Sequence, residues 1–282
     1  MQVRMAEHFG MCFGVRDAID LALDLTHQGP LTILGDLVHN PDVVATIDAA
    51  GAVRVHSQED IHTPAVLLTA HGVADRVRLE LRDRGLAVHD ATCPLVTRAH
   101  RALARLVADG RHPVVIGQPK HVEVRGLVGD LDDCTIIQSE ADLEQLAERI
   151  EREPQLRLGV VSQTTQPLER VRALVETMRR RLPDTDIHFV DTVCQPTKDR
   201  QQALRDLAAE TDVVVVVGGP ESNNSRKLAE LARRLGRPAH LVASAAELRP
   251  EWFENCSIVG LTAGTSTPDA VIDDVRAWLE EH

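Results

Sequence analysis

Cys12, Cys93 and Cys194 each stand where a short apolar run gives way to the first turn of a helical pattern. A helix start depresses a thiol's pKa and favours the thiolate, the form that binds metal. Taken singly, each is as readily an ordinary buried thiol, because free cysteine is among the most buried residue types. Three in the same kind of place point to a shared task. Without a CxxC pair a structural zinc site has little support. Three thiolates drawn from separate units onto one centre would instead hold an iron–sulfur cluster and leave one iron open to substrate. Cys134 and Cys256 flank apolar runs without a loop partner and read as core thiols.

A second theme runs through six loops: VHN (38–40), AHG (70–72), KHVE (120–123), QTT (163–165), ESNNS (221–225) and TSTPD (265–269). Most offer neutral hydrogen-bonding groups just ahead of a helix, whose unsatisfied N–H groups and dipole favour an anion. At any one loop, Asn, Ser or Thr is explained by helix capping. Histidine recurring at positions 39, 71 and 121 goes beyond capping, and together the loops describe a phosphate or diphosphate pocket. Arg179, Arg180 and Arg181 close a helix, where cations complement the dipole. His62, His100 and His188 have no recurring loop context and default to surface or structural roles, and Trp252 reads as a core anchor.

The elements that must position these residues alternate along the whole chain. Short β-branched runs at 31–34, 65–68, 113–116, 158–161, 213–217 and 257–261 are each followed by a polar loop and a helical pattern. This is the signature of parallel sheets covered by helices, an α/β fold. Asn40 before Pro41, Cys93 before Pro94 and Thr267 before Pro268 mark helix starts. Val15, Ala18, Ile19, Ala22 and Leu25 form a helical stripe stopped by Gly29 and Pro30. AVHDATCPLVTR (87–98) resembles HFVDTVCQPTKDR (188–200), and both set Asp three residues before Cys at a strand-to-helix junction. With the Cys12 junction as a third, the chain divides into three similar α/β units: 13–93, 94–190, and 191–282 joined by the segment 1–12. No Gly/Ser-rich linker separates them, so the units should pack closely.

Composition bounds what such a protein can do. A 282-residue chain with 43% hydrophobic residues can bury substantial cores. A formal charge of −12 argues against nucleic acid or an anionic membrane as a general partner. Anions must therefore be captured locally. The start MQVRMAEHFG has no signal-peptide stretch, and the valine run 213–217 is too short to span a bilayer, which predicts a cytoplasmic protein. Five widely spaced cysteines do not read as a disulfide framework.

In order and spacing, GMCFGVRDAI, LVHNPDVV, TAHGV, HDATCPLVTRAH, SQTTQ, DTVC with the following KDRQ, SNNSRKLAEL and TAGTSTPD cover nearly the whole chain. Together they resemble the 4-hydroxy-3-methylbut-2-enyl diphosphate reductase family, the last enzyme of the methylerythritol phosphate route to isoprenoids. The resemblance implies a three-lobed protein around a central 4Fe-4S cluster with Cys12, Cys93 and Cys194 as ligands. It also implies that His39, His71, His121, Ser222, Asn224 and Ser266 hold the substrate diphosphate, with Asn223 in the position of that loop's second serine. Glu123 matches the acid that delivers protons, and Thr164 a hydroxyl near the substrate alcohol. A ferredoxin or flavodoxin type electron donor is implied as partner. Val122 stands where the family usually has proline, and Pro196 where it has alanine. Two other readings fit the residues: a cluster-bearing relative acting on another hydroxylated substrate, and a non-redox module that binds diphosphates.

Overall fold

The computed structural model describes residues 1–38 and 40–282. In chain order the elements are β1 (Gln2–Met5), α1 (Phe13–Thr26), β2 (Leu31–Leu34), α2 (Pro41–Ala49), β3 (Val53–Val55), β4 (Ala65–Leu68), α3 (Asp75–Asp83) and β5 (Ala87–Asp90). There follow α4 (Pro94–Ala108), β6 (His112–Ile116), α5 (Val122–Val128), β7 (Thr135–Ile137), α6 (Glu140–Arg152), β8 (Leu158–Ser162), α7 (Leu168–Arg181) and β9 (Ile187–Phe189). The chain ends with α8 (Gln195–Ala209), β10 (Val213–Val217), α9 (Asn223–Arg234), β11 (Ala239–Val242), β12 (Ile258–Ala263) and α10 (Asp269–Glu281). Among the described residues, no helix is long and apolar enough to cross a membrane.

The strands form three four-stranded sheets, ordered β1-β12-β10-β11, β3-β2-β4-β5 and β7-β6-β8-β9. Every pairing is parallel. Reading the first sheet from β11, all three share one plan: the first strand of each lies between the second and the third, and a fourth strand closes the edge. The closing strands are β5, β9 and β1. Each is followed by a loop that ends at a cysteine: Cys93, Cys194 and Cys12 respectively.

The chain separates into two compact units, one comprising Met1–Gly29, Asp36–Ala52 and Gln195–His282, the other Pro30–Gly35 and Val53–Cys194. In the first unit β10 is a run of five buried valines, the pattern of a parallel strand covered on both faces. Val213, Val215 and Val217 pack with Ile272, Val275 and Leu279 of α10. Val214 and Val216 point the other way, onto Leu204 and Leu207 of α8 and Leu228 and Ala232 of α9. In the second unit the same alternation sends Val114, Ile116 and Val160 to α6 and α7. Val115 and Val161 face α4 and α5. A smaller core joins Val66 and Leu68 of β4 to Leu81 of α3.

Local signals act as their chemistry dictates at most helix starts. The Asn40 side chain caps α2 by accepting from the N–H groups of Asp42 and Val43, with Pro41 in the first turn. Cys93 is the cap residue of α4 and Cys12 that of α1. Thr267 does not cap α10. Pro268 takes that position, and the Thr267 hydroxyl instead donates to the Val217 carbonyl, tying the ends of β12 and β10 together.

Candidate active site

In the second unit the site is built from the loops after β4, β6 and β8. His121 caps α5: its Nδ1 accepts the N–H of Glu123 at 3.1 Å. An accepting Nδ1 carries no proton, so the neutral ring holds its proton on Nε2. The His71 ring meets His121 edge-on, with centroids 5.7 Å apart. Gly72, next to His71, has a φ of +73°, and a Cβ there would press on Thr92 and Val96, so the turn requires glycine.

Glu123, one residue into α5, is only 2% exposed. Its Oε1 accepts the Thr164 N–H at 2.6 Å and its Oε2 the Thr164 hydroxyl at 2.9 Å. Burial disfavours the charged carboxylate and pushes the pKa up to about 7, against both Thr164 bonds, which favour it. The result is a fixed carboxylic acid poised to give up a proton near neutrality. Gln163 braces the same loops, its Oε1 accepting from the Gln118 N–H at 3.2 Å and the Gln166 amide at 2.8 Å.

Two cysteines are tied to this network through the backbone. The Cys93 N–H donates to the carbonyl of Ala70, beside His71, and the Cys194 N–H donates to the carbonyl of Thr164, each at 3.0 Å. The repeated Asp-x-x-Cys pattern has a mechanical basis. Asp90 Oδ1 accepts the N–H of Thr92 at 2.9 Å, and Asp191 Oδ1 that of Val193 at 3.1 Å. Each aspartate folds the chain into an Asx turn that delivers the following cysteine.

In the first unit the corresponding loops carry buried neutral groups. Ser222 caps α9, its hydroxyl accepting the Ser225 N–H at 3.3 Å. Ser222, Asn223, Asn224, Ser225, Ser266 and Thr267 are all buried. The Asn224 Nδ2 and Ser225 Oγ have no hydrogen-bond partner among the described residues. Ser225 Oγ fills the space where Gly264 would carry a Cβ, so that glycine lets the two loops close on each other. Buried polar groups left open at the start of a twelve-residue helix suit an anion, which would satisfy them and meet the helix dipole. Cys12 lies in this unit, its N–H donating to the Thr265 carbonyl at 3.1 Å.

The structure thus gathers His71, His121, Glu123 and Thr164 with the Cys93 and Cys194 backbones in one unit. Ser222, Asn223, Asn224, Ser266 and Cys12 lie in the other. His39 lies outside the described residues. Cys134 and Cys256 are only partly buried, and in both burial pushes the thiol pKa up, with Asp133 and Asp212 adding to it. Both therefore remain protonated thiols. Trp252 is a partial anchor, packing on the β10–β12 core while stacking on His240. His62 and His188 are exposed, whereas the His100 Nε2 is enclosed against the Gly72 turn without a hydrogen-bond partner among the described residues.

Sequence reasoning missed Arg200 and Ser225. Arg200 is buried, and its guanidinium donates to the carbonyls of Pro196, Phe9 and Gly10. A charged residue in the first turns of a helix reads as solvated unless the pairing is known. Ser225 was visible as the third polar residue after Ser222, but only the approach of Gly264 shows that its hydroxyl is enclosed.

Among the described residues, no group of three or more His, Cys, Asp and Glu side chains is gathered to hold a metal ion. An iron–sulfur cluster makes a different demand, since its separate irons take one thiolate each. The donor set fits that demand: three soft thiols, each after the closing strand of its sheet and each positioned by a backbone hydrogen bond at a helix start.

Fold and site define an α/β protein of three parallel sheets with equivalently placed thiols, a buried acid and a helix start lined by buried polar groups. The LytB protein family matches residues 3–280, and the chain belongs to it. A 4-hydroxy-3-methylbut-2-enyl diphosphate reductase of Methylibium petroleiphilum is 40% identical over 277 residues, covering 97% of this chain and 83% of that one. The enzyme of that name from Chromohalobacter salexigens is 38% identical over 289 residues, covering 99% and 90%. A solved (E)-4-hydroxy-3-methyl-but-2-enyl diphosphate reductase, described as the terminal enzyme of the non-mevalonate pathway, is similar with a TM-score of 0.70 and 32% identity. That match covers all of both chains. The Plasmodium falciparum E-1-hydroxy-2-methyl-but-2-enyl-4-diphosphate reductase shares the fold with a TM-score of 0.90 at 24% identity, covering 99% of this chain and 87% of that one.

Proposed function

We propose that this protein reductively removes the hydroxyl of 4-hydroxy-3-methylbut-2-enyl diphosphate. Two electrons and two protons are consumed, and water and isopentenyl or dimethylallyl diphosphate are released. The observation that carries this reading is the buried Glu123 carboxyl, pinned by both Thr164 donors and titrating near pH 7. A hydroxyl leaves as water only if it is protonated, and a buried carboxyl titrating near pH 7 supports Glu123 as the acid that does so.

Cys12, Cys93 and Cys194 would hold a 4Fe-4S cluster, and the open iron of such a cluster supplies electrons and Lewis acidity toward the substrate oxygen. The chain's own residues do the rest. Ser222, Asn223, Asn224 and Ser266 bind the diphosphate with neutral donors at the start of α9, and His71 and His121 add ring N–H donors. His39 belongs to the same assignment. Thr164 orients Glu123 through two bonds and presents its hydroxyl to the substrate alcohol. The three-way division at 93 and 190, with the N-terminal segment joining the last unit, puts Cys93 at the end of the first part and Cys12 and Cys194 in the last. A ferredoxin or flavodoxin type donor in the cytoplasm would deliver the electrons.

Anaerobic purification followed by assay tests the reading. Brown protein containing iron and acid-labile sulfide, which converts the diphosphate when a chemical reductant is supplied, is the expected result. Colourless, iron-free protein that still binds diphosphate would make it a non-redox module. Cluster-loaded protein that leaves the diphosphate unchanged would assign it another substrate.

A further inference from the structure

We infer that Arg200 is the positioning residue for Cys12, clamping the segment between β1 and α1 so that this thiol is held as a ligand. The inference rests on the proposed role of Cys12 and concerns a residue of the KDRQ motif to which no role was assigned above.

The segment of residues 6–12 has no regular structure, so its backbone groups must find partners individually. Its N–H side is served by β12 and the loop beyond. Ala6 donates to Leu261 at 2.9 Å, Gly10 to Ala263 at 3.3 Å and Cys12 to Thr265 at 3.1 Å. Its carbonyl side faces arginines. Phe9 and Gly10 both accept from Arg200 Nη2, and Met11 accepts from Arg16 Nε at 3.4 Å.

Arg16 is on the surface, about half exposed, and shares its charge with Asp269. Arg200 is 6% exposed. Burying a guanidinium is costly unless its donors are used, and here Nη1 also donates to the Pro196 carbonyl at 3.0 Å. One planar fork thus joins the backbone of the first turn of α8 to the two carbonyls that lie two and three residues before Cys12. A lysine ammonium, a single point of donors on a flexible stem, cannot reproduce that geometry. Arg200 and Cys12 also line the same open pocket, of about 250 Å³, so the clamp and the thiol share one wall. Because α8 begins directly after Cys194, the residue that fixes the approach to Cys12 sits on the helix that Cys194 introduces.

The test uses the full-length apo-protein and its reconstituted form, comparing wild type, Arg200→Met and Arg200→Lys. In the apo-protein, iodoacetamide alkylation is followed thiol by thiol by mass spectrometry. Releasing the segment should speed alkylation of Cys12 by about tenfold, the scale of one lost charge-assisted hydrogen bond, with Cys93, Cys134 and Cys256 unchanged. Arg200→Lys should fall between the other two. Equal acceleration at all thiols, or an unchanged Cys12, would overturn the clamp.

In the reconstituted protein, Arg200→Met should retain less iron and sulfide per chain than wild type. Full retention with an unaltered electron paramagnetic resonance spectrum would also overturn it. Failure of the cluster reading looks different: wild type itself would take up no iron, whatever the alkylation rates show.

Discussion

The two units carry different chemical groups on sheets of one plan, one sheet in the first unit and two in the second. The first gathers Ser222, Asn223, Asn224, Ser225, Ser266 and Thr267, all buried and none able to change charge near neutral pH. The second gathers the rings of His71 and His121 and the buried carboxyl of Glu123, whose pKa burial pushes up to about 7. A set of neutral donors at a helix start can meet an anion without any change in its own charge, whereas a buried carboxyl titrating near pH 7 can release or take up a proton there. On the proposed roles, substitutions at the start of α9 should weaken diphosphate binding and substitution of Glu123 should slow proton delivery, although both sets of residues lie on loops at the carboxyl ends of parallel strands.

The largest expected effect concerns what both units contribute. Replacing Cys12, Cys93 or Cys194 with serine should abolish cluster retention, because a hard hydroxyl substitutes poorly for a soft thiolate. Cys134→Ser and Cys256→Ser should keep iron and sulfide near the wild-type content in the same assay. Loss of iron in either would break the assignment.

Next comes stability against pH, which should reside in the second unit. Burial pushes the Glu123 pKa up to about 7 in the folded protein, against an ordinary value of 4.5, so between these values the native state binds a proton that the unfolded chain does not. Its contribution is fully present below pH 4.5 and is lost as pH rises through 7, by about 3 kcal/mol at 1.36 kcal/mol per unit. Urea unfolding of the apo-protein across this window should show that fall, and Glu123→Gln should flatten it. An equal fall in the variant would place the titrating group elsewhere.

Asn224→Asp tests the first unit by replacing an open donor with a negative charge of the same size. Affinity for the diphosphate substrate without reductant should drop about 10- to 100-fold, the worth of a charge-assisted bond. Calorimetry on cluster-loaded protein measures it, and undiminished affinity would move the diphosphate away from α9. The smallest effect is expected of Thr164→Val, which removes one of the two bonds that favour the Glu123 carboxylate. The basic limb of the kcat/KM profile should move to higher pH, and an unmoved limb would disconnect Glu123 from the rate.

Much of this was legible in the sequence where one residue's chemistry decides one local structure. The runs at 31–34, 65–68 and 213–217 are strands β2, β4 and β10 with those bounds, because β-branched residues between turn signals leave no other choice. Asn40 and Cys93 mark true helix starts. The repeated Asp-x-x-Cys was visible as a pattern, but its cause, an Asx turn, needed coordinates. What stayed hidden depends on contacts distant in sequence. The Thr267 hydroxyl is drawn to Val217, fifty residues away, and so is lost as a cap. Arg200 is buried only because the carbonyls of Phe9 and Gly10 arrive from the other end of the chain. How Glu123 is held also depends on distance in sequence, since Thr164, whose N–H and hydroxyl fix both carboxyl oxygens, sits 41 residues further on.

The central claim is that Glu123 delivers the proton, and Glu123→Gln tests it most directly. The amide keeps the shape of the side chain and loses its acidity. Single-turnover reduction is followed under anaerobic conditions, with iron, sulfide and bound diphosphate measured on the same sample. The account predicts unchanged cluster content and unchanged binding, with turnover lower by about two to four orders of magnitude, the scale of a positioned general acid. Near-normal product formation by the glutamine variant would contradict it.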